Sequence, residues 1–237
     1  MTVTAVEAEF TSDITVELID LMGSEASIVR AARVSTLGSD AHAEERVGLL
    51  AYLYNSGHAS PFEHCVMTFR VEAPIFVTRE MLRHRISSFN EESGRYRELG
   101  GKFYLPQFSR PIVQVGKVGK YDFTLGDPLQ QAMVSRSIRE SSRHSWAQYR
   151  NMLDAGIARE VARMVLPVNT YSTIYYTANL RSILNFLSLR VDWGEGAVHR
   201  SKPQHEIELV ALRIAALMAD NFPTVWDLFR KNGYQSV

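Results

Sequence analysis

Arg83-His84-Arg85-Ile86-Ser87-Ser88-Phe89-Asn90-Glu91-Glu92-Ser93-Gly94-Arg95 places three arginines, a histidine, three serines, an asparagine and two acids within thirteen residues. Ile86 and Phe89 are the only large apolar residues in it, too few to make a core-facing helix or strand. An apolar-rich run, Ala73 to Leu82, leads into this stretch, and Phe103-Tyr104-Leu105 follows it. A charged, polar segment suspended between two packing segments has the layout of a binding site. Its arginines and hydroxyls suit an anionic ligand that takes several hydrogen bonds.

Upstream, residues 2–10 and 14–21 read as strands, with Met22-Gly23 ending the second. Ser24 is placed to cap a helix through Arg33, with Glu25 in its positive first turn, and 34–40 reads as a loop. Val47, Leu50, Leu53 and Tyr54 recur at helical spacing within 43–56, before Gly57. His58 to His64 is a polar link into a strand in which Cys65, Met67, Phe69 and Val71 alternate with polar or smaller residues. Pro74 suits the start of a helix over 74–83 that delivers the polar stretch at its C-terminal end.

Downstream, 106–128 carries Pro106, Pro111, Gly116, Gly119, Gly126 and Pro128 without sustained periodicity, and reads as a mobile excursion or lid. A long amphipathic helix is expected over 128–155, marked by Leu129, Met133, Ile138, Trp146, Tyr149 and Leu153. Short helices at 158–165 and 224–231 and longer ones at 179–191 and 206–221 complete the chain, with a β-rich run at 170–177. Together these elements predict an α+β fold, a mixed or antiparallel sheet packed with long helices. With no repeat, low-complexity run or clear linker, 1–237 reads as a single catalytic domain.

At 237 residues and 46% hydrophobic composition, the chain has material for a full core. A formal net charge of zero argues against a dedicated nucleic-acid or membrane-surface binder. Of the 26 basic residues only five are lysine, which favours bidentate recognition of phosphate or carboxylate, although genomic GC bias produces the same ratio. The single cysteine excludes an internal disulfide and any Cys-rich zinc site. No signal sequence or long apolar span is evident, so a soluble, cytoplasmic protein is expected.

The alternation places Cys65 with Met67 and Phe69, as a small buried hydrophobe rather than a nucleophile. His58, Glu63, His64 and His205-Glu206 lack the spacing of a metal site. Without a Walker A or GxGxxG motif, a nucleotide would be gripped by side chains such as Arg83, Arg85, Arg95, Arg163, Arg181 and Arg190. Asn179 and Asn185, interleaved with leucines, can pair with a purine edge or a flavin ring. Taken singly, each arginine is more simply a surface ion pair. Three separate segments bringing arginine into polar interruptions make that reading less economical.

Arg83-His84-Arg85, Ser88, Asn90, Ser93 and Arg95 complete the pattern RHRxxSxNxxSxR, and the chain resembles the flavin-dependent thymidylate synthases. Val29 to Ser35, Gly57 to His64, Ala162 to Pro167 and Asn179 to Arg190 resemble further family blocks in the family's order. The resemblance implies a homotetramer with shared active sites and one FAD at each. It implies transfer of a methylene from methylenetetrahydrofolate to C5 of dUMP, NADPH as reductant, and dTMP as product. The implied cofactor contacts are Ser35, Ser60, Arg83, His84, Arg85, Glu91, Asn179, Arg181 and Asn185, with His58 near flavin and folate. The implied dUMP contacts are Glu80, Arg83, Glu91, Glu92, Ser93, Gly94, Arg95, Arg163 and Arg190, with Arg190 as the catalytic group at the uracil ring.

A guanidinium at the uracil edge favours ionisation of N3 and enriches C5 in electrons, an activation that needs no thiol. Ser93 has no histidine at a spacing suited to a base, so it is assigned to binding. Two departures stand out: Glu80 replaces the glutamine of many members, and 192–203 resembles an insertion. An RNA-binding module and a flavoprotein without turnover are the rival readings. Salt-insensitive retention of a yellow chromophore excludes the first, and assay decides the second.

Overall fold

The period-two run after Cys65 becomes a strand with one dry face: Met67, Phe69 and Val71 are fully buried. The computed structural model describes residues 7–38, 47–117 and 120–237. In chain order the first elements are β1 (Glu9–Thr11), β2 (Thr15–Met22), α1 (Glu25–Leu37), α2 (Val47–Asn55), β3 (Val66–Pro74) and α3 (Ile75–Met81). Then come β4 (Ser88–Glu91), β5 (Lys102–Tyr104), β6 (Val113–Lys117), β7 (Lys120–Thr124) and α4 (Pro128–Asp154). The last are α5 (Arg159–Ala162), β8 (Tyr171–Asn179), α6 (Leu180–Arg190), α7 (His205–Asn221) and α8 (Pro223–Lys231). This is the expected mixture of sheet and long helices.

The chain folds into two compact units interleaved in sequence. One comprises Ile14–Glu72, Arg79–Glu91 and Thr173–Val237. Its four-stranded sheet has the order β2-β3-β8-β4, and the β2/β3 and β4/β8 pairs are antiparallel. Thr68 and Thr177 share a hydroxyl hydrogen bond of 2.9 Å. Helix α6 buries Leu180, Ile183, Leu184 and Leu187, the i, i+3, i+4, i+7 stripe of a core-facing helix, and packs on α7. Full burial of one such leucine contributes about 1.5–3 kcal/mol. Asn179 caps α6, its side-chain oxygen accepting the Ser182 N–H at 2.9 Å. The Glu25 carboxylate accepts the Thr224 and Val225 N–H groups at 2.6 and 3.0 Å, satisfying donors that Pro223 leaves at the start of α8.

The other unit comprises the described part of Met1–Asp13, Ala73–Thr78 and Glu92–Ser172. Strands β1 and β5 pair in parallel. Phe103, Trp146, Tyr149 and Ala162 form its core, with Phe10 and Leu166 against them. Asp127 and Gln130 close a reciprocal capping box at the start of α4, with bonds of 2.8 and 2.9 Å.

Several boundaries differ from the sequence reading. Helix α1 continues to Leu37, so Ser35 lies on a helix rather than in a loop. Pro74 ends β3 instead of opening a helix. Leu129 and Met133 are 74% and 62% exposed, so the apolar stripe of α4 is buried only in its C-terminal half. Within 106–128, β6 and β7 form an antiparallel ribbon, a pairing that the glycines and prolines there obscure. The 192–203 segment carries a 3₁₀ turn at Gly194–Gly196, and Trp193 stacks on Tyr234 at 4.2 Å. The expected strand over 2–6 and the expected helix start at 43–46 lie outside the described residues. No described helix is long and apolar enough to cross a membrane.

Candidate active site

Helix α3 stops at Met81, and its last turn continues as Arg83 N–H to Glu80 O (3.2 Å) and His84 N–H to Met81 O (3.0 Å). That turn delivers Arg83, His84 and Arg85 to the wall of a cavity of about 570 Å³. The facing wall is α6, where Arg181, Asn185 and Leu189 recur every fourth residue and therefore share one face. Ile86 is exposed, whereas Phe89 stacks on the buried Tyr176 ring at 5.2 Å and 13°, fixing β4 to the sheet. The polar stretch is thus anchored at Phe89, while Arg83 and Arg85 stay exposed at the cavity.

Arg190, at the end of α6, also lines this cavity. Its Nη1 donates to Glu80 Oε1 at 2.6 Å and its Nε donates to His84 Nε2 at 3.0 Å. An acceptor at Nε2 requires the neutral imidazole, with its proton on Nδ1. Burial, reinforced by the Arg190 charge, lowers the His84 pKa from 6.5 to about 4. The ring meets Phe186 edge-on at 4.8 Å. Glu80, anomalous in the sequence, is therefore explained by the arginine it pairs with.

Of the expected cofactor contacts, Arg83, His84, Arg85, Arg181 and Asn185 are brought together at this cavity. Ser35, Ser60, His58, Glu91 and Asn179 are not among its lining residues. Ser35 donates its hydroxyl to Ala32 O at 2.8 Å along α1. Ser60 begins the 3₁₀ turn Ser60–His64, and His58 stacks with Tyr52 at 5.7 Å. The Asn179 oxygen is committed to its helix cap, which leaves the amide N–H groups for any ligand. The sequence reading weighed Glu63 only as a metal ligand and passed over Ser182. Glu63 accepts from Arg181 Nη1 at 2.6 Å, and both residues line the cavity. Their signal was available, since Glu63 lies within the Gly57–His64 block and Ser182 one residue after Arg181.

In the other unit, Glu92 to Arg95 and Arg163 form a second cluster. The Ser93 carbonyl accepts the Tyr96 and Arg97 N–H groups, and the Ser93 hydroxyl accepts the Arg95 N–H at 3.3 Å. Gly94 is buried where a Cβ would lie 2.9 Å from Leu99 Cδ1 and 3.2 Å from Arg163 Cδ. A side chain here would have to push Leu99 and the Arg163 stem aside. Arg95 Nε pairs with Glu160 at 3.1 Å, and Glu92 pairs with Arg97 at 3.2 Å. The Tyr149 hydroxyl accepts the Leu99 N–H at 3.0 Å, tying this loop to the Trp146 core.

Cys65 is fully buried and absent from the cavity wall. Burial pushes its thiol pKa up to about 11, and the thiol donates to Ser24 O at 3.3 Å. The thiol stays protonated near neutral pH.

Comparison with known proteins gives a consistent match. The model of the family "Thymidylate synthase complementing protein" covers residues 17–224. The flavin-dependent thymidylate synthase of Tropheryma whipplei (strain TW08/27) is 47% identical over 229 residues, 94% of this chain and 95% of that protein. That of Streptomyces coelicolor is 47% identical over 232 residues, 95% and 94% of the two chains. Among solved structures, the UMP/dUMP methylase PolB from Streptomyces cacaoi bound with 5-Br UMP superposes with a TM-score of 0.90 at 45% identity. That superposition covers 98% of this chain and all of PolB. Through its matched length, its complete arginine–serine motif and its fold, the chain belongs to the flavin-dependent thymidylate synthase family.

Proposed function

We propose that this chain, acting as one catalytic domain, is a methyltransferase that converts dUMP to dTMP with FAD as its cofactor. Methylenetetrahydrofolate is the carbon donor and NADPH the reductant in this reading, which also takes the working form to be a cytoplasmic homotetramer with shared sites. The observation that carries it is Arg190 on the wall of a cavity also lined by Arg83, Arg85 and Arg181, while the sole thiol is buried elsewhere.

The donor set fits a flavin dinucleotide. Arg83, Arg85 and Arg181 present guanidinium forks suited to a pyrophosphate, and the Asn185 amide suits a heterocycle edge. A bound flavin supplies the reducing equivalents of the reaction. Ser93, Gly94, Arg95 and Arg163 would take the dUMP phosphate, with Glu91 and Glu92 beside the nucleotide. Arg190 would stand at the uracil ring, where its charge favours loss of the N3 proton and raises electron density at C5. Carbon transfer to C5 then needs no cysteine adduct, in keeping with the protonated, buried Cys65. His58, Ser35, Ser60, Asn179 and His84 complete the assigned flavin and folate surroundings.

The test is direct. Purified protein should be yellow, bleach anaerobically with NADPH, and form dTMP only when FAD, NADPH and methylenetetrahydrofolate are all present. Colourless protein that cannot be reconstituted with FAD refutes the reading. UMP should be assayed beside dUMP, because the solved relative is named for methylation of both.

A further inference from the structure

Arg190 is held from two elements at once. Glu80 of α3 takes an Nη1 hydrogen at 2.6 Å, and His84, in the turn beyond α3, takes the Nε hydrogen at 3.0 Å. Both side chains of the ion pair are 23% exposed, so the bond is shielded enough to hold its geometry. Among the described residues Nη2 and the second Nη1 hydrogen have no further acceptor, so these are the groups that can meet a ligand. Arg190 and His84 line the cavity, but Glu80 does not. A carboxylate facing a dianionic nucleotide would repel it, whereas a carboxylate behind the guanidinium offsets part of a positive charge and fixes where it points.

We propose that Glu80 is a positioning residue that acts on the nucleotide through Arg190, with His84 as the second hold on the same guanidinium. This rests on the assignment of Arg190 to the uracil ring. Glu80 sets the direction of Arg190, and His84 accepts its Nε hydrogen without adding a competing cation. A glutamine at position 80 offers the same acceptor oxygen without the charge, so Glu80→Gln separates the hydrogen bond from the ion pair.

The FAD-loaded enzyme distinguishes this from direct contact with the nucleotide. Glu80→Ala should lower kcat about 10- to 100-fold while dUMP KM changes less than about threefold and FAD content is unchanged. Glu80→Gln should restore most of the lost kcat. In the flavin-free protein, the Arg190 Nη–H resonances should exchange about tenfold faster in Glu80→Ala than in the wild type or Glu80→Gln. That measurement stands apart from turnover. If the wild type forms no dTMP, the assigned activity fails while the clamp is still decided by exchange. A dUMP KM raised tenfold or more with kcat kept makes Glu80 a nucleotide contact and overturns the proposal. So does a Glu80→Gln protein no better than Glu80→Ala, or equal exchange in all three. Should Glu80→Ala not fold, Glu80→Asp takes its place, since the shorter stem withdraws the acceptor.

Discussion

Replacing Arg190 with alanine should make His84 easier to protonate, by an amount that the structure bounds. The imidazole pKa is lowered from 6.5 to about 4, first by burial and second by the Arg190 charge. The substitution removes that charge and the Nε–H bond that favours the neutral ring, so both losses act upward. Burial is the larger cause and remains, which limits the recovery to under half of the depression, roughly 1 pH unit or about 1.4 kcal/mol. The consequence for stability has a definite direction. Below pH 6.5 the unfolded chain protonates His84 while the folded chain does not, so stability falls as pH drops from 6.5 to about 4 and levels off below. Discounted for the partial exposure of the ring, that loss is about 1–2 kcal/mol in the wild type. In the variant the window narrows from its acid end, and this part of the acid sensitivity shrinks. The assay is a proton–carbon NMR titration of the seven histidine rings, with His84 assigned by its absence in His84→Gln. A His84 pKa that stays in place or falls in Arg190→Ala would refute the coupling, and a wild-type value near 6.5 would refute the burial.

Cys65→Ala should retain turnover within about twofold and lose about 1 kcal/mol of stability, because it removes one sulfur from a fully buried site. Steady-state kinetics and a thermal melt check it, and loss of activity in folded protein would reopen covalent catalysis. Gly94→Ala forces a Cβ to 2.9 Å from Leu99 and 3.2 Å from Arg163. The dUMP KM should rise about tenfold or more with FAD content unchanged, and an unaltered KM would remove this loop from nucleotide binding.

Much of the fold was legible because it depends on periodicity. The alternation of Met67, Phe69 and Val71, and the stripe Leu180, Ile183, Leu184 and Leu187, can each bury themselves in one way only. The ribbon β6–β7 was not legible. Its strands are largely exposed, and without a dry face there is no pattern to read. Helix α1 outran its expected end at Arg33 because Val34 to Leu37 carry no breaker before Gly38, whose φ of 57° closes the helix. Leu129 and Met133 misled in the opposite direction, since helical spacing records a face without saying whether anything covers it.

In the site, the sequence alone determined the chemical inventory. Arginines, serines and an asparagine at fixed spacing specify an anion-binding surface, and a lone cysteine alternating with Met67 and Phe69 specifies an unreactive thiol. Which groups meet was decided by tertiary structure. Glu80 and Arg190 are 110 positions apart, and no local rule pairs them. Within one unit, Arg79–Glu91 and the end of α6 bring the carboxylate, the imidazole and the guanidinium within bonding distance. There a residue that looked out of place beside a nucleotide becomes the support of a cation. Spacing along the chain governs what lies within a turn or two of helix, whereas charge pairing across elements appears only once the hydrophobic stripes have chosen their partners.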